Sequence, residues 1–526
     1  MGSPAMRSKV SLAGYGYSTL HNCTQIMGIE KVVHGTKTVI IVGAGAAGLQ
    51  ATHTLLECEA FLNGCLKVVV LEARDRVGGR ICVNRRWDVP FDQGRAFQLR
   101  CLVLGPNWIH GTLLNPLVPL AEMTSSCLTT PEEGGCLVYS PSGERLPSET
   151  SRLLYETIWS YAALAIQCSA QIGANIPPST SLYDFCQVQI SHDKDLPPEL
   201  KETALQMTDL LTTFTAVSVK RQSLRHYQVE ATLPVLSQLI LSLIVKGDTV
   251  FIASTFEPII SQLALPAVAA GVLQLSSAVR KVDVQIDHIV VTTDRTEFRA
   301  DAVILTTPLG CLQRNTIDFT PPLPLHIQSA IQNLGFGNLE KLFLRFERAW
   351  WLTHPLSDPS QISIFLPPTT LPDQAPQQLL TMFSLADLPI NAQPVLAFYL
   401  AGAWTTYIKS ISQSDISTLF QNHYLPRLPN YSPECKIIDL FCTTWTEDPY
   451  AYGSYTHIPV GSQDGIGDLR VLGERICGLK DGSGGLWFAG EHAGTVDMGT
   501  VNGAMTSGDL AALDVLKSFG FSSHSL

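Results

Sequence analysis

Three glycines, Gly43, Gly45 and Gly48, follow directly on the β-branched run Thr38 to Val42. That spacing suits a diphosphate: the first glycine permits a tight turn, the second lets the backbone approach the phosphates, and the third lets the next helix pack against the sheet. The helix, read from about Ala46 to Glu59, turns the N–H groups of Ala46 and Ala47 and its positive dipole end to the same place. A second apolar run, Leu66 to Leu71, ends in Glu72, at roughly the 20-residue interval where a carboxylate meets an adenosine ribose. Glu72 would accept both ribose hydroxyls and repel a 2′-phosphate, which argues against NADP. The next turn, Ala73-Arg74-Asp75-Arg76-Val77-Gly78-Gly79-Arg80, adds Arg74 and Arg80 beside a second glycine pair, and both can neutralise a diphosphate.

Strand, glycine turn, helix and strand make a βαβ unit, so the fold class is α/β with a Rossmann-like dinucleotide-binding domain. A chain of 526 residues exceeds one ordinary core, and two domains are expected. With 45% hydrophobic and only 15% charged residues it is a well-buried globular protein, neither disordered nor fibrous. Its net charge of -11 argues against nucleic acid as a partner and suits cationic substrates. The 13 cysteines, scattered without a CxxC pair, are expected to be reduced thiols and not a zinc site, and no metal is expected. The longest apolar run, Leu236 to Val245, is too short to span a bilayer. A cytoplasmic location is expected, with a peroxisomal address left open by the loosely matching end Ser523-His524-Ser525-Leu526.

The run Glu72-Ala73-Arg74 with Arg76-Val77-Gly78-Gly79-Arg80 resembles the signature of the flavin amine oxidases, which include polyamine oxidases, monoamine oxidases and lysine-specific histone demethylases. The resemblance runs from Lys37 to about Leu516 and is closest to polyamine oxidases. It implies FAD as cofactor, held in a discontinuous domain of residues 37–115, 250–332 and 470–526. It also implies an α+β substrate-binding domain of residues 116–249 and 333–469, with 1–36 a flexible extension. Ser454 stands where monoamine oxidases carry the cysteine that bonds to flavin, so the FAD is expected to be non-covalent.

On the same resemblance Asn107 and Trp108 belong to the cofactor turn Gly105 to Gly111, and His110 lies near substrate. Val279 pairs with adenine through its backbone, Thr307 closes the sheet, and Trp445 precedes Tyr455, an aromatic wall beside the flavin. Lys341 is implied to bond through water to flavin N5. Gly490 and Glu491 lie near the ribityl-phosphate region, and Thr500 and Val501 start a helix facing the pyrimidine. Thr500 replaces a second aromatic wall found in plant relatives. Glu230 is the candidate anchor for a distal ammonium. Two stretches, Gln93 to Val103 and Val235 to Lys246, interrupt the resemblance at loops and read as translated retained introns or an error in the gene's exon assignment.

The implied reaction is oxidation of a small-molecule amine by hydride transfer to flavin N5, with O2 as acceptor, giving imine or aldehyde and hydrogen peroxide. Polyamine oxidase leads; demethylase-like or monoamine oxidase activity, and a silent FAD-binding protein disabled by the inserts, are the alternatives.

Overall fold

The computed structural model describes residues 35–87, 101–130, 136–230, 248–352, 362–386 and 388–522. The N-terminal stretch 1–34, the interruption at 235–246 and most of that at 93–103 therefore lie outside the described residues, as does the Glu230 side chain.

The glycine turn sits at the end of a six-stranded sheet ordered Arg475–Cys477, Gly485–Phe488, Ala302–Leu305, Lys37–Val42, Leu66–Leu71 and Leu273–Gln274. Lys37–Val42 pairs in parallel with both Leu66–Leu71 and Ala302–Leu305. Its continuous β-branched run is explained by burial on both faces. Val39 and Ile41 pack into the cluster holding the helices Ala46–Glu57, Glu257–Ala269 and Val501–Ser518. Ile40 and Val42 point the other way, into a cluster with Val282, Ile289 and Val291 of the four-stranded sheet Glu297–Ala300, Ile289–Thr293, Val279–Val284 and Asp318–Thr320.

A second six-stranded sheet runs Asp439–Cys442, Leu339–Arg345, Val395–Ala401, Leu380–Ser384, Ile362–Phe365 and Cys136–Tyr139. It too is apolar on both sides. Ile362, Ile364 and Phe383 meet the long helix Ser148–Ile172, whereas Leu342, Leu344 and Phe398 face the opposite cluster. No helix among the described residues is long and apolar enough to cross a membrane.

The end of the first interruption is built into the fold. Leu102–Val103 pairs antiparallel with Val83–Asn84. The Cys101 amide donates to Asn391 Oδ1 at 2.9 Å, and Asn391 Nδ2 donates back to the Cys101 carbonyl at 2.7 Å. Residues 101–103 are thus bonded into the fold.

Gly48 shows how tightly the first helix docks. A Cβ there would come within 1.9 Å of the Gly43 carbonyl oxygen. Gly48→Ala is expected to push helix and strand apart and destabilise the protein by about 1–3 kcal/mol, read as a lower midpoint in urea. An unchanged midpoint would contradict this packing.

Candidate active site

The glycine turn, the second sheet and the start of the helix Val501–Ser518 enclose one cavity of about 390 Å³. That is within the range of small-molecule and cofactor sites. Of the residues singled out from sequence, Gly43, Gly45, Ala46, Ala47, Glu72, Ala73, Arg74, Gly79 and Arg80 line its first end. Asn107, Trp108, His110, Val279, Thr307, Lys341, Trp445, Tyr455, Gly490, Glu491, Thr500 and Val501 also line it. Gly48 does not; it serves the packing just described. Glu230 ends the short turn Tyr227–Glu230.

At the first end the acids and bases are held in place by one another and by backbone. Glu72 accepts the Ala44 amide at 2.6 Å and the Arg74 amide at 2.8 Å, one on each oxygen. Burial raises its pKa, against the pull of those two amides and the neighbouring arginines. Arg74 pairs with Asp448 at 2.7 Å. Arg80 pairs with Glu491 at 3.1 Å and donates to the Ser454 carbonyl. Glu491 also accepts the Thr456 amide at 3.1 Å and hydroxyl at 3.2 Å. Thr500 caps the helix Val501–Ser518: its hydroxyl accepts the Gly503 amide at 3.0 Å and donates to the Asp497 carbonyl at 2.6 Å. The helix N-terminus therefore faces the cavity with its positive dipole end.

Lys341 is buried in the strand Leu339–Arg345, 5% exposed. Its ammonium donates to the carbonyls of Val103 at 3.1 Å and Gly105 at 2.6 Å, and to Asn107 Oδ1. All three N–H groups of the ammonium are thus engaged by protein oxygens. Where the resemblance implies a lysine bonded through water, Lys341 presents its charge to the cavity and not a spare N–H. Burial draws its pKa down to about 7, while the three oxygens favour the ammonium.

Sequence reasoning missed the far wall. Thr381, Phe383, Ile362, Tyr399, Thr213 and Phe214 line it, and none belongs to a motif. Tyr399 stands between Lys341 and Thr381 in one cross-strand row, with the Lys341 Nζ 5.2 Å from its ring centre. Its hydroxyl donates to Asn107 Oδ1 at 3.1 Å. Glu340 was also missed. Buried on the far side of the same strand, it accepts the Thr443 hydroxyl at 2.6 Å and the amides of Trp445 at 2.9 Å and Thr446 at 3.0 Å, and so shapes the Trp445 turn.

The lining fits a flavin dinucleotide. Gly45 has nothing within 4 Å of the place a Cβ would occupy, so the backbone there is open to a close ligand. The buried Thr307 hydroxyl at the same end has no partner in the protein. The paired charges, the helix N-terminus and the Glu72 carboxylate are groups of the kind that complement a diphosphate, an electron-rich ring and a ribose.

Comparison with known proteins agrees with this fit. The profile of the flavin containing amine oxidoreductases matches residues 223–516, and that of an NAD(P)-binding Rossmann-like domain matches residues 41–112. Polyamine oxidase 5 of Oryza sativa subsp. japonica is 27% identical over 503 residues, covering 91% of this chain and 87% of its own. Lysine-specific histone demethylase 2 of Homo sapiens is 26% identical over 494 residues, covering 90% of this chain and 52% of its own. A solved structure of a putrescine oxidase mutant superposes with a TM-score of 0.66 at 18% identity, covering 92% of this chain and 99% of that one, a likeness of fold.

Three histidines set an acid limit on this architecture. Burial pushes His110, His457 and His492 each down to about 4, against about 6.5 in an unfolded chain. Between those values the unfolded state takes up protons that the folded state refuses, so stability falls as pH drops from 6.5 toward 4. Urea midpoints measured at about pH 6.5, 5.5 and 4.5, unit steps through this window, should decline steadily, and His457→Gln should flatten the slope.

Proposed function

The chain belongs to the flavin containing amine oxidoreductase family, and from that premise we propose that it is an FAD-dependent oxidase of small-molecule amines, with polyamines as the substrate class. One observation carries the reading. A single cavity runs from the phosphate-type glycine turn, past the Lys341 charge, to an aromatic wall. The likeness to plant polyamine oxidases over nine-tenths of the chain supports the substrate class.

In this reading Gly43, Gly45, Ala46, Ala47 and the Arg80–Glu491 pair hold the diphosphate and ribityl region, Glu72 the ribose, and Val279 the adenine. Asn107, Trp108, Thr307, Trp445 and Gly490 complete the bed. Ser454 keeps its oxygen on Leu339, accepting its amide at 2.7 Å and donating to its carbonyl at 2.9 Å, which supports non-covalent FAD. When bound, the flavin supplies two-electron oxidation of the C–N bond and returns the electrons to dioxygen as hydrogen peroxide.

The protein's own groups prepare that chemistry. Trp108, Phe383 and Tyr399 exclude water, with the Trp108 and Phe383 rings 6.2 Å apart. His110 is held neutral by burial, so its buried Nδ1 can accept a hydrogen bond from an amine. Tyr455, tethered through its hydroxyl to the Thr213 carbonyl at 3.4 Å, offers a ring on which an alkyl chain packs and to which a cation is drawn. The Lys341 charge and the helix N-terminus at Thr500 and Val501 stabilise negative charge that develops in the cavity. Glu230 remains the proposed anchor for a distal ammonium.

Purified protein should be yellow and release peroxide with spermine or spermidine. A yellow protein that no amine bleaches without oxygen would overturn the oxidase reading. Lys341→Met is expected to slow the oxygen half-reaction by about a hundredfold and the amine half-reaction far less, measured separately by stopped flow. Gly45→Ala, which meets nothing in the protein, should leave the urea midpoint of the apoprotein within about 0.5 kcal/mol of the parent while weakening FAD retention on gel filtration.

A further inference from the structure

Beside the Lys341 side chain lies a second cavity, of about 20 Å³, room for one molecule the size of water or a little larger. It shares Asn107, Lys341, Phe383 and Tyr399 with the main cavity. The rest of its described wall is largely carbon, from Phe251, Phe343, Leu385, Leu388 and Ala397. Strand register explains why the space exists. Phe343, Ala397 and Phe383 form one cross-strand row, next to the row of Lys341, Tyr399 and Thr381 on the same face. A single methyl between two phenylalanines leaves a gap at a position where a larger, β-branched residue would suit a strand better.

The polar side chains on the smaller cavity are engaged elsewhere. The Lys341 ammonium gives its N–H groups to Val103, Gly105 and Asn107, and the Tyr399 hydroxyl donates to Asn107. Asn391 exchanges hydrogen bonds with the Cys101 backbone, and the Ser254 hydroxyl accepts the Cys127 amide at 3.3 Å. A buried water needs roughly two to four polar partners, and this wall has little left to give one. Apolar cavities take up apolar guests such as xenon instead. Among the molecules of the proposed reaction, dioxygen is small, uncharged and apolar, whereas an amine is too large and too polar for this space.

We propose that this smaller cavity is a holding site for dioxygen, one side chain away from the place where the gas is reduced. The inference rests on the oxidase reading above and deepens it, by giving the second substrate a place to wait. The Lys341 charge does nothing for the neutral gas, which apolar contact holds; once electrons reach it, the same charge stabilises the negative charge that develops. The two electrons and two protons that turn dioxygen into hydrogen peroxide are those the amine gives up in becoming an imine, so no further reactant is consumed. Ala397 and Leu385 line the smaller cavity and not the larger, so its size can be changed without touching the cofactor and amine lining.

The test uses the FAD-loaded full-length protein. Crystals held under xenon should show the gas between Phe343, Phe383 and Ala397; ordered water there, or no xenon, overturns the proposal. Ala397→Val should abolish the xenon peak. With the flavin reduced photochemically, so that no amine is needed, its second-order reoxidation by dioxygen should slow about tenfold in Ala397→Val, whereas reduction by spermine without oxygen should change far less. Leu385→Phe fills the same space from another segment and should act likewise, which keeps the test open where the first variant does not fold. Parental reoxidation in a variant that has lost the xenon site overturns the proposal. So does equal slowing of both half-reactions, which would mean distortion of the main cavity. Those results leave the oxidase reading standing, whereas failure of every amine to reduce the flavin removes both.

Discussion

A buried ammonium cannot be left unmet, and the architecture around the cavity is arranged to meet the one on Lys341. Taking such a charge out of water costs several kcal/mol unless oxygens replace the lost hydration. Three do, from Val103, Gly105 and Asn107. Those oxygens belong to a segment far from Lys341 in sequence, so the requirement ties the second sheet to the loop after Cys101. That loop is anchored in turn by Leu104, whose amide donates to the Cys82 carbonyl at 3.1 Å. Cys82 follows closely on Arg80, which reaches Glu491 and through it Thr456. One charge thus couples the parts that surround the cavity, and moving any of them would expose or strand it.

Charge is distributed along the cavity with a clear logic. At the glycine-turn end Arg74 is paired with Asp448 and Arg80 with Glu491, and Glu72 is held by two backbone amides. Pairing fixes those side chains in place while leaving backbone amides and a helix terminus to meet a diphosphate. At the aromatic end the titratable groups are held neutral: burial lowers His110 to about 4 and raises the Tyr399 hydroxyl well above its ordinary range. Lys341 stands between the two regimes, the one buried charge that adjoins the apolar wall among the described residues.

Much of the nucleotide-type half was legible in the sequence because its signals are local. Leu66–Leu71 falls where the apolar run placed it, and the first helix ends two residues earlier than read, at Glu57. The third glycine's packing role followed from spacing alone. The far wall was not legible, for a physical reason. Ile362–Phe365 and Leu380–Ser384 are buried on both faces, so they show no alternation that would mark an inward side. Thr381 and Tyr399 meet Lys341 only through strand register between distant segments, which no motif encodes. Val103, read as the end of an interruption, supplies through its carbonyl one of the three oxygens on Lys341, a contact that no motif encodes.

The helices Ala46–Glu57 and Val501–Ser518 lie against one another, and the Thr54 hydroxyl donates to Asp509 Oδ1 at 2.5 Å across a sequence gap of 455 residues. A nascent polypeptide emerging from the ribosome therefore carries the first glycine turn, half a cradle, for a long interval before its partner helix exists. At about 5–20 residues per second that interval is on the order of half a minute or longer. Throughout it the apolar flank of Ala46–Glu57 lacks the cover it has in the finished fold. The vitamin-derived prosthetic group can be locked in only after translation has passed Asp509, which makes its capture one of the last events in the maturation of this protein.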